Sequence, residues 1–262
     1  MGNAGIQIHD VHVDYPVEGR RMRRVLSGID LEIESGEFVS IVGQTGCGKS
    51  TLLRIVAGLT KSNAGTVSIF GESAERAQEN KHIGFVPQSL GLLPWRTVLD
   101  NVRLALLLNR RANRPARDPV EILSAFGLGE YLNHRPSQLS GGMRQRVAIA
   151  RAFALEPALL LMDEPFAALD ELTREVLRFE LLDLWQTSGT TVLFVTHSVT
   201  EAVLLSDEVV VMSSAPGRIQ ARIAVDLERP RNEFDELSDA FRNLEATVRV
   251  ALRAGQHDEA VR

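Results

Sequence analysis

Cysteine is almost missing from this sequence. Its 262 residues hold only Cys47, so no internal disulfide can staple the chain, and that scarcity fits a reducing compartment. Long apolar runs are missing too. None approaches the roughly 18 residues of a membrane span, and the N-terminal stretch lacks a signal-peptide core. Nor is there an excess of positive charge: 29 Lys and Arg face 34 Asp and Glu, for a formal net charge of −5. That balance leaves no general electrostatic footprint for nucleic acid or an anionic bilayer. No internal repeat or low-complexity tract interrupts the chain. What remains is an ordinary globular composition, 44% hydrophobic and 24% charged, at a length that buries a real core. These absences predict a soluble, cytoplasmic chain that serves a membrane process only by docking on another protein.

What is there begins with Gly43-Gln44-Thr45-Gly46-Cys47-Gly48-Lys49-Ser50-Thr51, which fits the phosphate-binding pattern G-x-x-x-x-G-K-[ST]. The apolar run Phe38–Val42 precedes it and Leu52–Ala57 follows, the strand and helix that such a loop needs. Glycines let backbone N–H groups close on phosphates without Cβ clashes. Lys49 suits the β- and γ-phosphates, Ser50 offers a hydroxyl to Mg²⁺, and the helix N-terminus adds partial positive charge. Cys47 reads as a small filler pointing away from nucleotide, so its alkylation is expected to block ATP binding by bulk and ATP to protect it.

Along the chain, Ile6–Tyr15 and Val25–Ile33 alternate apolar and polar residues, predicting an antiparallel ribbon. The turn between them holds Arg20, Arg21, Arg23 and Arg24, most simply a solvated face. Gly65–Phe70 and Lys81–Val86 read as further strands. From Leu92 to Leu155 the spacing becomes helical, over Val98–Leu108, Asp118–Phe126 and Gly141–Ala154, punctuated by Pro94, Pro115 and Pro136. Sheet character returns at Ala158–Met162 and Thr190–Val195, with a helix, Glu171–Thr187, between them. Val209–Met212 and Ile219–Val225 close the core, and a surface helix is expected over Glu233–Arg253. The fold class expected is α/β: a mainly parallel core of the P-loop NTPase kind, an N-terminal antiparallel β-subdomain and an inserted helical subdomain.

The apolar strand Leu159–Met162 ends in Asp163-Glu164, where open α/β sheets place ligand groups. Asp163 suits a Mg²⁺ contact through water, and Glu164 suits polarising the water that attacks the γ-phosphate. Just upstream lies Leu139-Ser140-Gly141-Gly142-Met143-Arg144-Gln145-Arg146. Together with the phosphate loop it resembles the signature of ABC ATPase cassettes, with Met143 where glutamine is commoner. Other markers follow in family order: Gln88 after Val86-Pro87, Ala168-Leu169-Asp170 after the carboxylates, and His197 after Val195-Thr196. Tyr15 stands suitably upstream for the aromatic that stacks on adenine, though an edge-strand aromatic fits equally.

The resemblance covers about residues 6–229, with the helical insert at about 92–155 and a helical tail at 230–262. It implies that Ser140, Gly141 and Gly142 face the γ-phosphate held by an opposite copy, and that two cassettes close head to tail around two ATP molecules. It makes His197 a γ-phosphate contact beside Glu164, Gln88 a Mg²⁺ and water contact that senses a membrane partner, and Asp170 a bridge to the opposite phosphate loop. A strand-end histidine and an exposed loop amide are the plainer readings of His197 and Gln88.

With no second cassette, fused membrane helices or long C-terminal domain, the resemblance points to a bacterial importer subunit. Leu92–Val102, Leu139–Arg146, Asp163–Phe166 and Ser213–Arg218 look like the nitrate, sulfonate and taurine import group. The implied partners are a second ATPase cassette forming a homodimer, two transmembrane permease subunits and, indirectly, a periplasmic or lipid-anchored substrate-binding protein, with no nucleic acid. The implied place is the cytoplasmic face of the inner membrane, held peripherally. An ABC ATPase driving a soluble partner by ATP-dependent dimerisation is the alternative.

Overall fold

The computed structural model describes residues 4–17, 21–113 and 117–257. Arg20 and Pro115 lie outside them. The described chain falls into two compact units, one made of residues up to Glu75 and from Thr191 onward, the other of Arg76–Thr190.

The first unit opens with β1 (Ala4–Val17) and β2 (Arg21–Glu34), paired antiparallel as their alternation predicts. Their inward residues, among them Ile6, Val11, Leu26 and Ile33, are buried. Arg21–Arg24 are exposed, as a solvated face requires, and Arg24 pairs with Asp14 across the ribbon at 2.9 Å. β3 (Phe38–Gly43) is buried at every position, and α1 (Lys49–Val56) follows it. β4 (Ala64–Ile69) and β5 (Glu72–Ser73) extend the antiparallel sheet in the order β2-β1-β4-β5. α2 (Ala74–Glu79) comes next in the chain.

In the second unit β6 (Ile83–Val86) and β7 (Leu159–Asp163) pair in parallel. The intervening stretch holds α3 (Val98–Leu107), α4 (Pro119–Ala125) and α5 (Gly141–Phe153), and α6 (Glu171–Ser188) comes after β7. Asp118 and Thr97 cap α4 and α3 with side-chain oxygens, so the helices start where polar caps precede apolar periodicity. Lys81 departs from expectation. It is not a strand residue but sits at φ 56°, and its buried ammonium donates to the carbonyls of Ala105 (2.8 Å) and Leu108 at the end of α3. A cation there complements the partial negative charge of the helix C-terminus.

The chain returns to the first unit with β8 (Thr191–Thr196), α7 (Val199–Leu205), β9 (Glu208–Met212), β10 (Ile219–Ala224) and α8 (Asp239–His257). β3 lies between β8 and β9, parallel to both, while β10 runs antiparallel to β9. A strand covered on both faces can be apolar throughout, which is why Phe38–Val42 shows no alternation. The tail differs from the expected single surface helix. A 3₁₀ turn, Glu233–Leu237, precedes α8, and Phe241 and Val248 of α8 are buried. Among the described residues no helix is long and apolar enough to cross a membrane.

Candidate functional site

In the first unit, parallel register sets the geometry. Val42 lies opposite Thr196, so Gly43 and His197 leave neighbouring strands at the same level of the carboxyl edge. That edge is where open parallel sheets place ligands. Gly43 has no room for a side chain: a Cβ there would lie 2.8 Å from Cys47 Sγ and 3.0 Å from the Met212 carbonyl. Gln44, Thr45 and Gly46 are exposed, and the loop then turns into α1 at Gly48, whose φ of 102° only glycine adopts readily. A Cβ on Gly48 would sit 2.6 Å from Leu26 Cδ2. The first bond of α1 runs from Leu52 N to Gly48 O at 2.9 Å. No side chain caps this start, and no acidic residue occupies its first turn. Ser50 and Thr51 lie in that turn.

Lys49 is buried, and its ammonium donates to the carbonyls of Gly43 (2.7 Å) and Gln44 (2.9 Å). A charge at the mouth of an uncapped helix end makes a site for polyanions. Cys47 is buried as well, and burial pushes its thiol up from the ordinary value, with Lys49 opposing. Alkylation of this buried thiol therefore requires the loop to open first. Tyr15 is half-exposed on the β1–β2 ribbon, opposite Arg23 and beyond the end of the β1–β4 pairing.

His197 is exposed on a tight turn. Thr196 Oγ1 accepts from Ser198 N at 3.0 Å and donates to the buried Glu201 carboxylate, while Ser198 Oγ caps α7 by accepting from Glu201 N. The Ser-x-x-Glu spacing of a capping box at 198–201 was the sequence signal for this turn.

In the second unit Val86 pairs with Met162, so Gln88 and Glu164 stand two residues beyond the same rung. Asp163 is buried at the end of β7. Glu164 has φ 46°, an uncommon left-handed conformation for a non-glycine residue that costs of order 1–3 kcal/mol. The chain then tightens through Ala167 N to Glu164 O and Leu169 N to Phe166 O, both 3.2 Å, and reaches α6 at Asp170. Asp170 caps that helix, accepting from Thr173 N (3.0 Å) and Thr173 Oγ1 (2.7 Å); these bonds hold its carboxyl below the usual value.

Ser140 caps α5 by accepting from Met143 N at 3.2 Å. Gly141 is exposed and, with Gln88, Arg144 and Ala167–Leu169, lines a cleft of about 370 Å³. Gly142 is buried, and a Cβ there would come 2.5 Å from Thr173 Cγ2 of α6. Arg151 of α5 donates to the carbonyls of Leu90 and Gly91, tying that helix to the segment after Gln88.

Residues 26–167 match the family model described as ABC transporter. The chain belongs to the ABC transporter family. The ABC cassette is 46% identical over 239 residues to the aliphatic sulfonates import ATP-binding protein SsuB of Ralstonia nicotianae, covering 90% of this chain and 80% of that protein. It is 42% identical over 234 residues to the bicarbonate transport ATP-binding protein CmpC of Synechococcus elongatus, covering 88% of this chain but 35% of the longer relative. Its fold matches the dimeric post-hydrolysis state of the ATP-binding cassette MJ0796 bound to ADP and Pi, with a TM-score of 0.74 and 33% identity over 85% of this chain and 100% of that one.

Two features of the cassette escaped sequence reasoning. Gly217 braces the phosphate loop: its N–H donates to Val25 O, its carbonyl accepts from Ser27 N, and a Cβ would sit 2.1 Å from Cys47 O. Nothing local in Ser213–Arg218 signals that approach. Gly142 was read only as a phosphate-facing N–H, whereas its missing side chain also admits Thr173.

Proposed function

We propose that this cassette is the ATP-binding and ATP-hydrolysing subunit of a bacterial ABC importer for a small oxyanion, with aliphatic sulfonates, taurine and nitrate as the class. The observation that carries nucleotide binding is the buried Lys49 ammonium at the uncapped start of α1. The importer reading rests on the likeness to SsuB over most of both chains, and the likeness to CmpC adds bicarbonate to the same class of small anions.

In this reading Gly43–Thr51 wrap the phosphates with backbone N–H groups, Lys49 carries the β- and γ-phosphate charge, and Tyr15 stacks on adenine. Mg²⁺ keeps several waters and takes few protein ligands, which suits one buried carboxylate, Asp163, with the Ser50 hydroxyl and the Gln88 amide. Held by these residues, it would supply positive charge to offset that of the phosphates. Glu164 orients and deprotonates the attacking water, and His197 holds the γ-phosphate side of that water. Ser140, Gly141 and Gly142 supply N–H groups and a hydroxyl to the γ-phosphate of a second cassette, and Asp170 braces that cassette's loop. The γ-phosphate thus joins two copies, and its hydrolysis lets them part. The likeness to a dimeric cassette supports this pairing.

The implied setting is the cytoplasmic face of the inner membrane, held by two permease subunits and fed by a substrate-binding protein. In this reading the segment Leu93–Trp95, with its exposed Trp95, docks on the permease. Lys49→Ala should abolish ATP binding and, in cells, uptake-dependent growth on an aliphatic sulfonate, taurine or nitrate as sole sulfur or nitrogen source. Unchanged growth on all three would remove the substrate class. Full-rate turnover by a strict monomer would remove the shared site.

A further inference from the structure

The C-terminal stretch grips both ends of α7, the helix that starts directly behind His197. At the far end Arg231 is buried, and its Nη1 donates to the carbonyls of Val203 (3.1 Å), Leu204 (2.8 Å) and Ser206 (2.7 Å). Arg229 adds Leu205 O at 2.9 Å and the Asp207 carboxylate at 2.7 Å. Burial pulls the Arg231 guanidinium down to about 10, which leaves it charged at neutral pH. Two cations therefore meet the negative end of the α7 dipole.

At the near end Thr200 Oγ1 donates to Glu245 Oε1 of α8, and Arg249 holds the same carboxylate at 3.1 Å. Phe241, Glu245 and Val248 fall at i, i+4 and i+7, so one face of α8 carries two buried apolar anchors with the carboxylate between them. Gln220 Nε2 donates to Ala251 O at 2.9 Å, fixing the other end of α8 on β10. Thr200 is the immediate neighbour of Glu201, whose carboxylate receives Thr196, and Thr196 in turn holds Ser198 N. His197 thus stands between two residues, Thr196 and Ser198, whose bonds end in the first turn of α7. Apolar anchors alone would dock α8. A charge-assisted bond between the helices also fixes how α7 is rotated.

We infer that α8 sets the aim of the His197 imidazole, with Glu245 as its positioning residue acting through Thr200 and the first turn of α7. This rests on the proposed role of His197. The test uses the full-length protein with ATP and Mg²⁺. Thr200→Val, which keeps the side-chain volume and removes the donor, and Glu245→Ala should each lower kcat about tenfold while KM for ATP stays within about twofold. Glu245→Gln, whose amide oxygen still accepts the hydroxyl, should keep most of the rate. In a His197→Ala background Thr200→Val should cost nothing further. The His197 ring-proton resonances should shift in Thr200→Val. Additive losses, or ring resonances that do not move, overturn the inference. If His197→Ala alone hydrolyses at the native rate, the proposed role of His197 fails, while the ring resonances still decide whether α8 sets its position.

Discussion

Gly48 and Glu164 both stand at positive φ between a buried parallel strand and the helix that follows it, at 102° and 46° respectively. One is the residue for which that conformation is free. The other is a glutamate, for which it is not. At Gly48 the turn serves the backbone, since it starts α1 without a side-chain cap and leaves no space for a Cβ beside Leu26. At residue 164 glycine would relieve strain, yet a carboxylate stands there, so the conformation serves the side chain. Where a fold tolerates strain, the group it aims is the first candidate for chemistry.

The widest separation between the two positions is expected from Glu164→Gln and Glu164→Gly. Loss of the general base should cut turnover by roughly 10²–10⁴-fold while ATP still binds and holds a dimer. Glu164→Gly should lose the same turnover yet raise the unfolding midpoint, because glycine takes φ 46° without strain. Phosphate-release assays and thermal unfolding measure both, and a glycine variant with lower stability would show that Glu164 is not strained.

Substitution on the binding side should act in the opposite sense, on affinity and not on chemistry. Gly48→Ala meets both the left-handed backbone and Leu26 Cδ2 at 2.6 Å, whereas Gly46→Ala at φ 82° meets nothing within 4 Å. About 1–2 kcal/mol of backbone strain is common to both, so Gly48→Ala should weaken ATP binding clearly more, by calorimetric titration. Equal losses would mean that the Leu26 contact plays no part. A smaller effect is expected at Gly142→Ala, about 1–3 kcal/mol of stability from the 2.5 Å approach to Thr173 Cγ2. Thr173→Ser removes that methyl and should restore most of it in urea unfolding.

Much of this is legible in the sequence alone. Phe38–Val42 read as the short buried strand that a phosphate loop needs before it, and alternation in Ile6–Tyr15 marked a half-buried one. Motif order brought out both sets of candidate residues, because each motif is local. What stayed hidden was not local. α7 is buried on nearly every side, which erases its period, and α2 is short and mostly polar. Lys81 continues a strand-like run, but its partners lie at the end of α3, more than twenty residues on. Gly217 and Gly142 look like any other glycines until the atoms that crowd them are known. The tail showed helical period but not the Asn232 and Ser238 caps that break it into a 3₁₀ turn and α8.

The three helix starts extend the same comparison to charge. α1 begins with no side-chain cap, α5 with a neutral hydroxyl on Met143 N, and α6 with a carboxylate on Thr173 N and Oγ1. Only the last start depends on a titrating group. The Thr173 backbone bond, then its hydroxyl bond, lower the Asp170 carboxyl below its ordinary 3.8. A carboxyl depressed in the folded state adds stability that is complete above the unfolded value and fades as pH falls through the folded one. The unfolding midpoint of the native chain should therefore exceed that of Asp170→Ala by a small margin that is constant from about pH 7 to about pH 5 and narrows below about pH 4. A margin equally wide at both ends would mean that the carboxylate charge contributes nothing to the cap. In that case Asp170 could turn toward a second cassette without loosening α6; if the margin narrows, any such bridge must compete with Thr173 for the same two oxygens.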